Sequence, residues 1–213
     1  MQHTRWFWLL GLALTWAPAV SNAAATFTDG KGYQTLASPQ PVSPAGKVVV
    51  LEFFSYGCGH CAQFEPELEA WARKLPRHVV LERVPVALAP RFEPQQRLYY
   101  ALRALGKVDA LQQRVFEAVA RQRVSLDTPE AMATWRQAHG VARKTFLEAY
   151  DSFAVQMQAR RASQMAAAYR ISGVPAMAVQ GRYLLTPGME QTPTMPAVLQ
   201  AVDSLIARVA AAG

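Results

Sequence analysis

The run Lys47-Val-Val-Val-Leu-Glu-Phe-Phe54 is β-branched or aromatic almost throughout, and the stretch Cys58-Gly-His-Cys61 follows it directly. Bounded by Pro44-Ala-Gly46 and Gly57, the run predicts a strand buried on both faces, the kind found inside an α/β sheet. From Cys61 onward the apolar spacing becomes helical, through Phe64, Leu68, Trp71 and Leu75. Pro66 lies inside that pattern and predicts a kink or a restart. The local order is strand, cysteine pair, helix.

A second strand is predicted at Val79–Val86, with Pro85 taking its far end out of the ladder. Between Pro94 and Arg170 only helical patterns occur, over 95–105, 108–121, 129–139, 142–149 and 153–169. Asp127-Thr-Pro-Glu130 carries a helix-start signature: a capping side chain, proline in the first turn and an acid near the positive end of the dipole. Tyr99, Leu102, Leu111, Val115, Phe116, Trp135, Phe146 and Phe153 are expected in the core of this block. Strands return at Gly173–Val179 and Arg182–Leu185, a hairpin turning at Gln180-Gly181. A last helix over 196–210 aligns Val198, Leu199, Val202, Leu205, Ile206 and Val209 on one face. The fold class is α/β, a sheet domain interrupted by an α-helical insertion.

Residues 1–23 read as a signal peptide. A short basic start (Met1–Arg5) precedes an apolar stretch (Trp6–Trp16), Pro18 and the small residues Ser21-Asn22-Ala23-Ala24-Ala25. The apolar stretch is shorter than the roughly 20 residues that cross a bilayer as a helix. Cleavage after Ala23 fits best, with Ala25 the alternative. No later stretch is expected to span a membrane, so the mature chain is expected to be exported, periplasmic and free of stable membrane insertion. The remaining segments are 24–93 and 171–213, the two parts of the sheet domain, and 94–170, the insertion. Net charge is +7, without a run of five basic residues. That pattern fits a solvated basic surface and gives no reason to expect nucleic acid as a partner.

Cys58 and Cys61 are the only cysteines. As a staple they close so small a loop that the gain is on the order of 2 kcal/mol, against about 4.7 for a 100-residue loop. A structural zinc site needs four ligands, usually two such pairs, and no second pair exists; His78 and His139 lack ligand spacing. No metal is expected, which leaves redox chemistry. A thiolate is what attacks a disulfide. Cys58, where a strand gives way to a helix, gains from unpaired N–H groups and the helix dipole. His60 adds a positive charge or a donor, unless it is simply a solvent-exposed loop histidine. Gly59 is expected to permit a tight turn that leaves the first sulfur open. Cys58 is thus the expected nucleophile, and Cys61, one turn into the helix, the resolving cysteine.

LEFFSYGCGHC (Leu51–Cys61), followed far down the chain by SGVPA (Ser172–Ala176), resembles the thioredoxin superfamily. With the insertion and the signal peptide, the chain is similar to the DsbA family of periplasmic thiol:disulfide oxidoreductases. DsbA is itself a standard case of an acidified cysteine, so the resemblance supplies only the direction of that effect. It implies a thioredoxin-like fold with a central mixed sheet. It implies a cis Val174-Pro175 bond beside the cysteines, where the backbone pairs with bound substrate, although a trans proline at a strand edge is the ordinary default. Glu52 matches the family's buried acid, which serves proton transfer at Cys61 if burial raises its pKa; a Glu at the strand's edge is the plain alternative. Arg83 is the candidate basic partner. The Gly59-His60 dipeptide departs from the familiar Pro-His and resembles protein disulfide isomerase, and in this superfamily it tunes redox potential.

The expected function is therefore donation of the Cys58–Cys61 disulfide to reduced or unfolded exported proteins. Re-oxidation by a DsbB-like membrane oxidase is expected, with no cofactor beyond the redox-active disulfide, and the protein is expected to act as a monomer. Two alternatives remain. One is a disulfide isomerase or reductase; the other is a peptide-binding chaperone with a structural disulfide and a groove built from Met177, Met189 and Met195.

Overall fold

β-Branched and aromatic side chains make the run after Lys47 a strand, β2 (Val48–Phe54), buried at every position in a computed structural model that describes residues 26–212. The signal peptide expected at residues 1–23 lies outside the described residues. β1 (Gln34–Thr35), β3 (Val79–Pro85), β4 (Ala176–Val179) and β5 (Tyr183–Leu185) complete a five-stranded sheet of order β1-β5-β4-β2-β3. Only β2 and β3 pair in parallel; the other neighbours are antiparallel, so the sheet is mixed. The β4–β5 hairpin turns through Gln180 and Gly181, both at positive φ (51° and 64°). Gly181 is obligatory twice over, because an added Cβ would also collide with the backbone carbonyl of Gln40.

The helices are α1 (Gly59–Ala72), α2 (Glu93–Ala104), α3 (Val108–Phe116), α4 (Pro129–Gln137), α5 (Arg143–Asp151), α6 (Phe153–Ala168) and α7 (Met195–Ala212). Alternation along β2 divides the core. Val48 and Val50 meet Phe64 and Leu68 of α1 and Val198, Val202 and Leu205 of α7. Val49, Leu51 and Phe53 face the α2–α6 block, against Leu98, Leu102, Phe146 and Tyr169. Each such side chain fully removed from water contributes about 1.5–3 kcal/mol.

Several expectations need correction. α1 begins at Gly59, not Cys61, and runs unbroken through Pro66, held on either side of the ring by the buried Phe64 and Leu68. It ends at Ala72, so Leu75 packs from the turn beyond it. Pro85 stays in the ladder opposite Phe54. β3 is an edge strand, and it is the Val86 N–H that reaches β2, at Phe54 O (2.7 Å). The N–H that proline lacks points to the open side, where the Gln96 amide caps the Pro85 carbonyl at 2.9 Å. The helix expected over 108–121 widens into a π-turn at Glu117–Arg121, whose carbonyls receive the N–H groups of Gln122 and Val124 as the chain turns out through Arg123 (φ 57°).

Phe153 is 77% exposed rather than in the core. Ser152 caps α6 there, which puts Phe153 at its first position and off the buried stripe Val155, Ala159, Ala162, Ala166. Trp135 is half-buried and stacks on His139. α7 is long and apolar enough by composition to cross a membrane, contrary to expectation. In the structure its Val198, Leu199, Ala201, Val202, Leu205 and Ile206 are buried, most of them against the sheet.

Candidate active site

The turn after β2 delivers Cys58 as the N-cap of α1, with extended backbone (φ −88°, ψ 113°). Its sulfur accepts a hydrogen bond from the Cys61 N–H at 3.2 Å. The first turn of any helix carries unpaired N–H groups and partial positive charge, so starting a helix here is itself what supplies donors to the sulfur. From the other side the Val174 carbonyl oxygen lies 3.3 Å from the Cys58 sulfur, and the Val174–Pro175 bond is cis. Sheet order explains the meeting. β4 begins directly after Pro175 and pairs antiparallel with β2, Ala176 opposite Phe53.

The two cysteines are unbonded and unequal. Cys58 is half-buried, whereas Cys61 is fully buried. Hydrogen bonding from the Cys61 thiol brings Cys58 down to about 6, against its partial burial; the N–H groups of Cys61 and His60 and the His60 charge add to the effect. Burial pushes the Cys61 thiol far up, and the bond to Cys58 and the negative charge there push it further. One sulfur is a thiolate at neutral pH and reachable; the other holds its proton and is shielded.

Glu52 is fully buried, and the parallel register sets it opposite Arg83, whose Nε donates to Oε2 at 3.1 Å. Burial raises the Glu52 carboxyl to about 8, although the Arg83 charge opposes it. Arg83 also reaches Glu65 (3.1 Å) and Glu69 (2.6 Å) on α1. Glu65 is almost fully buried, and burial raises it to about 7. The cysteines thus sit above a buried cluster with more carboxyls than cations. Sequence reading missed Glu65. It shares the spacing Cys61, Glu65, Leu68 with the inward face of α1, and that periodicity was the available signal.

Gly59 has no positive φ, and an added Cβ would meet nothing within 4 Å, so the expected tight turn does not require glycine there. His60 is exposed at the second position of α1. His139 is satisfied by Trp135 O at 2.8 Å, His78 is exposed, and among the described residues no cluster has the makings of a metal site. Of the methionines considered for a groove, Met177 is a fully buried residue of β4 and unavailable. Met195 does line a groove of about 420 Å³ beside His60, with Phe64, Pro187, Pro193 and Pro196. The proline-rich loop that forms its far wall carried no sequence signal for this role.

A cysteine pair at the start of the helix that follows a fully buried strand of a mixed sheet, with a cis-proline against it, defines a thioredoxin-like disulfide exchange protein. Residues 49–200 match the family model of the DSBA-like thioredoxin domain. The chain is 42% identical over 201 residues to the thiol:disulfide interchange protein DsbA of Burkholderia cepacia, covering 94% of this chain and 92% of that one. It is 41% identical to the DsbA of Bordetella parapertussis, over 97% of this chain and 98% of the relative. The crystal structure of Pseudomonas aeruginosa DsbA superposes with a TM-score of 0.83 at 37% identity, covering 87% of this chain and 96% of that one. The chain belongs to the DsbA-like thioredoxin domain family.

Proposed function

We propose that this protein introduces disulfide bonds into exported proteins by donating the Cys58–Cys61 disulfide. A substrate thiolate attacks the Cys58 sulfur, the accessible one, and Cys61 leaves and takes up a proton. A second substrate thiolate attacks the substrate sulfur of the mixed disulfide; the substrate disulfide closes and Cys58 departs as a thiolate. The substrate loses two electrons and two protons, one proton staying on Cys61 and one passing to solvent. A DsbB-like membrane oxidase then removes the two electrons and restores the disulfide. No further cofactor enters this cycle, and the periplasm is where it runs.

The observation that carries this reading is the inequality of the cysteines, because a leaving thiol of low pKa leaves faster. Holding Cys58 near 6 makes its departure the easy direction. Glu52, kept largely neutral by burial and near enough to add to the upward push on Cys61, is the group to which we assign giving Cys61 its proton and taking it back on re-oxidation. Val174 and Pro175 present backbone to the substrate segment, Gly59 and His60 tune the potential, and the protein works as a monomer. Replacing Cys58 with serine is expected to abolish oxidation of a reduced dithiol peptide; unchanged activity overturns the reading. Refolding of scrambled ribonuclease, slow under an oxidase and fast under an isomerase, separates the two enzyme classes.

A further inference from the structure

Two hollows near the start of α1 and the Val174–Pro175 turn share Pro187. The first, the groove of about 420 Å³, contains His60 and Glu67; the second, of about 310 Å³, runs along Ser172–Ala176 with Arg170 in its wall. Val174 belongs to the second, and its carbonyl is 3.3 Å from the Cys58 sulfur, while His60 follows Cys58 by two residues. Cys58 therefore lies beside a lining residue of each hollow. Among the lining residues Glu67 is the only carboxylate of the first hollow and Arg170 the only charged side chain of the second. Both are exposed, and neither enters an ion pair among the described residues.

We propose that these two charges read the residues on either side of the substrate cysteine. They favour an extended peptide with a basic side chain toward α1 and an acidic one toward β4. The inference rests on the oxidase reading and names a substrate class for it. An extended chain rises about 3.3 Å per residue, so the residues before and after the cysteine are carried away in opposite directions, toward different hollows. Reversing such a peptide sets each of its charges against a like charge. The overall charge of +7 predicts something different, a general attraction for acidic peptides in either order. Dependence on order is thus the signature of Glu67 and Arg170.

The test uses the mature protein in its disulfide form and dithiol peptides whose second cysteine sits in a neutral Gly-Ser segment. The first cysteine is flanked by Lys and Glu in one order, by the same pair reversed, by two Glu, or by two Ala. Each matched contact is expected to change kcat/KM by about two- to fivefold, the scale of exposed ion pairs. One mixed order should be the fastest and its reverse the slowest. In 1 M salt, where the screening length is about 3 Å, the contrast should collapse. Glu67→Lys should invert the Lys-to-Glu rate ratio at the flank facing α1. Equal rates for all four peptides, or the two-Glu peptide fastest, overturn the inference and leave the oxidase reading standing. Failure to oxidise any peptide overturns both.

Discussion

Replacing Cys61 with alanine separates the two sources of thiolate stabilisation at Cys58. The substitution removes the thiol that is the largest contributor to the depressed Cys58 pKa and keeps the backbone N–H that donates at 3.2 Å. A hydrogen bond to a charged group is worth about 1.5–3 kcal/mol, and at 1.36 kcal/mol per unit that is about one to two pKa units. Cys58 is half-buried, so solvent screening favours the lower end. From a starting value of about 6, the variant should titrate between about 7 and 8. Its thiolate fraction at pH 7 then falls from about 90% to between about 10% and 50%. The assay is the pH dependence of iodoacetamide alkylation, with thiolate absorbance at 240 nm on the same samples. A Cys58 pKa unchanged or lower in the variant refutes the reasoning, because the helix backbone alone would then hold the thiolate.

Gly59→Pro should fold and raise stability by about 0.4–1 kcal/mol in urea unfolding of the disulfide form. Position 59 opens the helix, where proline is favoured, and Cys58 before it is already extended as a pre-proline residue must be; a loss of stability counts against this. Glu52→Gln should flatten the pH dependence of stability. Burial lifts the folded carboxyl from 4.5 to about 8, so the folded form keeps a proton that the unfolded chain releases, and stability falls as pH rises between those values. Urea titrations of the disulfide form at pH 5 and pH 8 measure the slope, and an equal slope in the variant argues against the buried-acid reading. Arg136 is fully buried with all three guanidinium nitrogens unpartnered among the described residues. Arg136→Met should therefore stabilise the protein, by about 1–4 kcal/mol, since apolar replacement of buried charge is commonly favourable; a lower melting temperature would contradict that.

The sequence makes the strands, the helical block and the hairpin legible because each is written in local periodicity. Cys58 and Cys61 were legible through their setting between a strand and a helix, and Val174-Pro175 through resemblance. What escaped are properties of the assembled fold. No local pattern shows that Arg136 is swallowed by the helical block, or that Phe153 is held outside it by the Ser152 cap. Glu65 became part of the site only when β3 set Arg83 opposite Glu52 and within reach of α1. Pro85 misled for a similar reason, since which side of a strand is open depends on sheet order.

The measurement that bears most directly on disulfide donation is the reduction potential of the Cys58–Cys61 pair, from equilibration with glutathione at pH 7. Lowering Cys58 from about 8.5 to about 6 stabilises the dithiol form at that pH by about one tenfold step, or about 30 mV, before screening at the half-buried sulfur reduces it. The expected result is a potential clearly more oxidising than the about −270 mV of thioredoxin. A potential at or below that value would make the pair a reductant and contradict donation.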